Sequence, residues 1–257
     1  MYVSEELTTK TPKGTEREYM SFNEIMYKGF LGYYLGETGT QSGFAFLMLS
    51  ALGFLVIVLS SYLLGSCNFA IIISDKFFKE DIRTYGSGNA GMTNMLRTYG
   101  KRAAVLTLLA DAAKAVVSII IGRLIWGIIG AYVAGLVCMI GHVFPVFYKF
   151  KGGKGVVVAA VTILMTNWKV GLILALFFFI LVGGTKYISL GSVMCALIYP
   201  LLLPRFLGNA PQITVLFSFG LMLIVVLKHT SNIKRLLNGT ENKISFTKKD
   251  KKSLEDK

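Results

Sequence analysis

The strongest constraint on this chain is a succession of apolar runs, each near the roughly 20 residues that cross a bilayer as helix. They cover residues 43–73, 103–124, 126–147, 156–165, 170–184, 190–207 and 213–227. Runs of this kind read as helix, because lipid forces the backbone to satisfy its own hydrogen bonds. The expected fold class is all-α: a polytopic transmembrane bundle of about seven helices, some short. Runs 156–165 and 170–184 are brief enough to be partial or tilted, so five full crossings fit as well. Composition agrees. Of 257 residues, 54% are hydrophobic and 16% charged, with a mean hydropathy of +0.60; a soluble domain carries roughly 25% charged residues.

The net charge of +13 would suit nucleic acid, but the basic residues sit beside the ends of the apolar runs. That placement is a topology signal, and no nucleic-acid partner is expected. One set of connections carries Lys76, Lys79, Arg83, Arg97, Lys101 and Arg102; Lys149, Lys151 and Lys154; Lys186; and Lys228, Lys234, Arg235 and the tail from Lys243. The opposite set holds Arg123, Lys169 and Arg205. The positive-inside rule makes the first set cytoplasmic, with the N-terminus outside and the C-terminus inside. The chain then divides into a polar extracellular extension (1–43), a membrane domain (44–244) and a basic cytoplasmic tail (245–257). The extension shows no cleavable signal pattern, and residues 20–36 mix aromatics with charges as an interfacial helix does. Cys67, Cys138 and Cys195 are few and widely spaced, reading as buried thiols rather than a disulfide or metal framework.

All the glycine-rich polar stretches fall on the cytoplasmic set. In "YGSGNAGMTNMLRTYGK" (85–101), Gly86, Gly88 and Gly91 permit turns in which successive amides converge on an anion. Ser87, Thr93 and Asn94 supply neutral donors, and Arg97 a planar fork suited to phosphate. An ordinary connecting turn is the plain alternative. In "FKGGKG" (150–155), Lys151 and Lys154 flank Gly152 and Gly153 just before a helix N-terminus, which favours phosphate; a lysine anchor at the headgroups is the alternative. His142 and His229 both lie beside these loops. General base, donor to a carbonyl oxygen and interfacial residue are the roles open to them. Without acidic or cysteine partners nearby they do not suggest zinc. Asn232 shares a helical face with His229. Asp111 and Lys114, about ten residues or ~15 Å into their span, read as a structural ion pair, not a proton relay. Ser189, Gly191 and Ser192 read as close helix packing, with a hydroxyl contact to ligand as the minor alternative.

Three stretches in order, "GSGNAGMTNMLRTYGK", "GHVFPVFYKFKGGKGV" and "KHTSNIKRLLNGTENKI", with "LLADAAKA" after the first, resemble the signature motifs of the bacterial acyl-phosphate glycerol-3-phosphate acyltransferases. The likeness spans about residues 47–244. It implies a multi-pass enzyme of the inner (plasma) membrane with its active site facing the cytoplasm. It implies transfer of a fatty acyl group from acyl phosphate to the sn-1 hydroxyl of glycerol-3-phosphate, giving lysophosphatidic acid and inorganic phosphate. This is the first acylation of bacterial phospholipid synthesis. Partners so implied are the two substrates and membrane lipid; no cofactor and no metal are implied, and the oligomeric state stays open. By motif, Ser87, Gly88, Asn89, Thr93, Asn94 and Arg97, with His142, Lys151, Gly152, Gly153 and Lys154, fall at phosphate- and substrate-binding positions. His229 and Asn232 fall beside the reacting carbonyl. The family mechanism is substrate-assisted: the donor's own phosphate accepts the hydroxyl proton. That suits a chain with no nucleophile, base and orienting acid in register.

Three positions depart from the family pattern: Asn68 stands in place of a usual proline, Met92 of an alanine and Ala115 of a glycine. A transporter of phosphorylated solutes is the principal rival. It would show internal repeats and polar residues at mid-membrane, whereas here the polar chemistry gathers at one surface. A headgroup-binding scaffold accounts for the basic loops but not for the glycines and asparagines.

Overall fold

The computed structural model describes residues 28–31, 43–208 and 210–244, and every regular element among them is helical. The proposed extension over 1–43, most of the interfacial helix over 20–36 and the tail over 245–257 lie largely outside the described residues. In chain order the helices are α1 (Gly43–Ser66), α2 (Phe69–Ile73), α3 (Met92–Tyr99), α4 (Lys101–Val143), α5 (Val156–Thr166), α6 (Trp168–Thr185), α7 (Ile188–Leu202), α8 (Thr214–Lys228) and α9 (Thr230–Leu237). All seven apolar runs are helical. Among the described residues four helices are long and apolar enough to cross a membrane, or five if α8 and α9, bent by 60°, form one span.

Helix α4 is two antiparallel arms. Trp126 and Gly127 leave helical geometry, with Gly127 at φ 55°. Beyond them the chain folds back, so that Ser118 Oγ donates to Ala134 O at 3.3 Å. Sixteen residues of straight helix would separate those atoms by about 24 Å. The arms meet at Gly122 and Gly130, where a Cβ on either would run into the other's carbonyl oxygen. The second arm is the centre of the molecule. Tyr132, Cys138, Met139 and Val143 pack there against Val158, Val170, Tyr199, Leu221 and Val225 of the surrounding helices.

The outer faces are as apolar as the core. Leu47, Leu52, Leu55, Leu59 and Leu63 of α1 are exposed, as are Leu172, Leu176, Phe179 and Ile180 of α6. Contiguous exposure on this scale fits lipid, not water.

The two sets of connections lie at opposite ends of the bundle. At one end Arg123 donates to Met165 O at 3.0 Å and Asn167 to Phe206 O at 2.6 Å. At the other, Arg83 reaches Tyr148 O, Ser189 reaches Glu241, and Ile244 N donates to Lys186 O. Every glycine-rich loop is at this second end.

Candidate active site

The first loop is folded around one side chain. Asp81 caps the short turn Ile82–Thr84 by accepting from Arg83 N, and Gly86 (φ 59°) and Gly88 (φ 69°) then reverse the chain. Buried Asn94 reaches back into this turn. Its Oδ1 accepts from Ser87 N at 2.9 Å, and its Nδ2 donates to Ile82 O and Tyr85 O at 3.1 and 2.9 Å. The expectation that Asn94 offers a donor to ligand is thereby corrected: its polar contacts are spent holding the loop. Gly88 N likewise donates to Tyr85 O at 3.0 Å. Ser87 and Gly88 are exposed on the loop, while Asn89 and Thr93 are half-buried. Met92 and Thr93 open α3, where helical geometry leaves first-turn amides without intrahelical acceptors.

Two departures from the family pattern have visible consequences. Asn68 caps α2, accepting from Ile71 N at 3.2 Å, and donates to Ala90 O at 3.3 Å, so it ties the first loop to the helix. Met92 packs beside Ala70, Ile71 and Ile82 and leaves the turn intact.

The second loop lies back on the end of α4. Gly152 N donates to Val143 O at 3.2 Å and Gly153 N to His142 O at 3.1 Å. These amides are therefore not a phosphate nest. The glycines are needed for approach instead: a Cβ on Gly153 would meet His142 Nε2 and Ala90 O, and one on Gly152 would meet His142 O. His142 is buried behind the loop, its Nδ1 2.9 Å from Lys114 Nζ. Lys151 has an exposed side chain. Lys154 turns inward, and its Nζ donates to Asn232 Oδ1.

The third stretch begins where α8 ends and the chain bends into α9. His229 sits at the bend, buried, with Nδ1 2.7 Å from Val225 O. A carbonyl only accepts, so the proton is on Nδ1 and Nε2 is the ring's acceptor. Asn232, also buried, donates to Glu241 Oε1 at 2.7 Å. Glu241 collects two more partners, Ser189 Oγ at 2.9 Å and Arg235 Nε at 2.7 Å. Burial pushes its carboxyl up, but the bonds from Asn232, Arg235 and Ser189 outweigh that and hold it below the usual range.

Four cations, Arg97, Lys154, Lys228 and Arg235, share this region with the Glu241 carboxylate. Burial pushes Lys154 down to about 8, and Arg235, Arg97 and Lys228 add to the effect while Glu241 opposes it. Burial likewise lowers Arg97. Among the described residues no hydrogen bond or ion pair engages the Arg97 guanidinium, although Glu241 attracts it. Its planar fork of donors is suited to an anion. The structure thus brings together Arg97, Lys154, His229 and Asn232 from three separate motifs. Sequence reasoning missed Glu241, although it is the first acidic residue after Asp111. It also read Lys228 and Arg235 only as topology markers, although Arg235 continues the spacing of His229 and Asn232.

Comparison with known proteins points to one family. The family model described as glycerol-3-phosphate acyltransferase matches residues 55–239. A glycerol-3-phosphate acyltransferase of Thermoanaerobacter pseudethanolicus is 41% identical over 184 residues, covering 72% of this chain and 92% of that protein. One from Neisseria meningitidis is 41% identical over 190 residues, covering 72% and 94%. Among solved structures, the glycerol 3-phosphate form of PlsY (YgiH), an integral membrane glycerol 3-phosphate acyltransferase, superposes with a TM-score of 0.69 at 32% identity, covering 75% of this chain and 96% of that one. Its lysophosphatidic acid form gives 0.67 at 31% identity, with the same coverage.

Proposed function

Because the chain belongs to the glycerol-3-phosphate acyltransferase family, we propose that this membrane-bound enzyme takes its acyl group from a fatty acyl phosphate. The sn-1 hydroxyl oxygen of glycerol-3-phosphate bonds to the acyl carbon. The bond from that carbon to the phosphate oxygen breaks, and the hydroxyl proton passes to the departing phosphate. Lysophosphatidic acid and inorganic phosphate leave. The donor is already activated, so positioning and charge stabilisation supply the catalysis.

The observation that carries this reading is Arg97 close to Lys154, which itself donates to Asn232 and lies near His229. Both substrates bear phosphate, and two separate cationic elements are present to receive them. Ser87 and Thr93 border the first, and the amides opening α3 add positive potential. Asn232, which accepts from Lys154, and His229, close to the same lysine, are the groups assigned to the reacting carbonyl. Residues 44–244 form the catalytic unit, with the glycine loops on the cytoplasmic side of the plasma membrane, the N-terminus outside and the C-terminus inside. The basic connections gathered at one end support that orientation.

The test is direct. Purified protein in lipid is given labelled glycerol-3-phosphate with palmitoyl phosphate, palmitoyl-CoA or palmitoyl carrier protein. Labelled lysophosphatidate is expected with palmitoyl phosphate alone. Product from a thioester and none from the acyl phosphate refutes the donor assignment; no product from any donor refutes the activity.

A further inference from the structure

The mechanism above leaves Arg83 without a role. It sits ahead of the first glycine loop, and its side chain is three-quarters buried, at 25% exposure. Its Nε and Nη2 clamp the Asp81 carboxylate, at 3.0 Å to Oδ1 and 2.7 Å to Oδ2. Its remaining nitrogen, Nη1, crosses to the second loop and donates to Tyr148 O at 3.0 Å and Lys151 O at 3.1 Å. Each of the three guanidinium nitrogens makes at least one of these bonds, so four of its five N–H groups are spent on the two loops.

Tyr148 of the second loop also packs against the cluster that contains Ile82 and Ala90 of the first. Ala90 O lies against Gly153, in the gap that a Cβ would fill. On one side of the junction, the first loop leads into α3 and so to Arg97. On the other, Lys154 follows Lys151 by three residues. Asp81 is itself fixed, because it caps the turn Ile82–Thr84, so the guanidinium is anchored at its near end before it spans the gap.

We infer that Arg83, braced by Asp81, is a positioning residue that sets the distance between the two phosphate-binding elements, Arg97 and Lys154, by fastening one glycine loop to the other. The inference rests on the proposed acyl transfer for its kinetic consequences, but its geometry stands apart from it. Lysine cannot replace arginine here, since one ammonium cannot hold a carboxylate in a planar fork and reach two carbonyls across the gap.

The experiment uses full-length Arg83→Lys, Lys154→Ala and the double variant, purified in lipid, with thermal unfolding recorded for each. Misplacement on the ångström scale costs up to about 100-fold, so Arg83→Lys should lower kcat/KM roughly 10- to 100-fold with an unfolding temperature close to wild type. Added to Lys154→Ala, it should cost less than about threefold, because the spacing no longer matters once one element is gone. Equal losses in both backgrounds, or wild-type activity in Arg83→Lys, overturn the proposal. A second measurement needs no activity. Spin labels at Thr84→Cys and Phe147→Cys, in a cysteine-free background, should show a broadened distance distribution when Arg83→Lys is added. An unchanged distribution overturns the strut even if the enzyme is active, and a broadened one upholds it even if the proposed donor is wrong.

Discussion

His142 Nδ1 lies 2.9 Å from Lys114 Nζ, deep between the arms of α4. The same Nδ1 lies 3.6 Å from Asp111 Oδ1, so the imidazole joins the pair, and its Nε2 edge faces Gly153. Lys114 also meets Asp111 Oδ1 at 2.8 Å, Gly65 O at 2.9 Å and Cys67 O at 2.7 Å. Removing one member of such a buried group typically costs about 3–5 kcal/mol, because the other charge is stranded. Lys114→Met should therefore unfold at a markedly lower temperature in detergent. Asp111→Leu combined with Lys114→Met should recover part of that loss. A double variant as unstable as the sum of the singles contradicts the pairing.

Arg97 makes the opposite prediction for stability. Burial and Arg235 outweigh the attraction of Glu241 on this half-buried cation, so Arg97→Ala relieves desolvation and should leave the unfolding temperature unchanged or raised. Charge-assisted hydrogen bonds contribute about 1.5–3 kcal/mol, so kcat/KM for glycerol-3-phosphate should fall roughly 10- to 100-fold. Kinetics and thermal unfolding on the same preparation check both halves. Activity near wild type removes Arg97 from the site.

Most of the fold was legible because apolar runs of bilayer length leave little choice but helix. The reversal inside α4 was legible as a break between two runs. What the sequence did not reveal is which end of each loop residue is in use. The glycines of "FKGGKG" were read with their lysines as a phosphate loop, yet their amides return to His142 and Val143 carbonyls, a pairing set by the docking of the loop on the helix end. Asn94 looked like a ligand donor beside Ser87 and Thr93, and it proved to be the centre of its own loop. Glu241 sat in plain view beside basic residues. Its importance arises only when α7 and α9 converge and three donors meet one carboxylate.

Lys154 makes binding pH-dependent. Its amine is pushed down to about 8 by burial and by the neighbouring cations, whereas a phosphate monoester is already close to dianionic above its second pKa of about 6. The KM for glycerol-3-phosphate should therefore be lowest between about pH 6 and 8 and climb above about 8 as the ammonium is lost. The effect on folding has the other sign. Between about 8 and the ordinary lysine value of 10.5 the unfolded chain binds more protons than the folded one, so this group makes the protein more stable as pH rises. Lys154→Arg should remove the climb in KM. An identical profile in that variant assigns the pH dependence to another group.

Gly153 tests how closely the loops must meet. A methyl group there would run into His142 Nε2 and Ala90 O, one on the buried cluster and the other on the first loop. Neither yields readily: the imidazole is held by Lys114, and Ala90 O by Asn68. Gly153→Ala should therefore push the glycine loops apart, separate Arg97 from Lys154, and reduce kcat/KM by about tenfold or more, with a lowered unfolding temperature. Gly183 in α6 provides the control, since a Cβ there meets nothing within 4 Å. In a helix interior that exchange is worth up to about 1 kcal/mol in favour of alanine, so Gly183→Ala should be as active as wild type and no less stable. Equal behaviour of the two variants would mean that the contact between the loops does not govern the site.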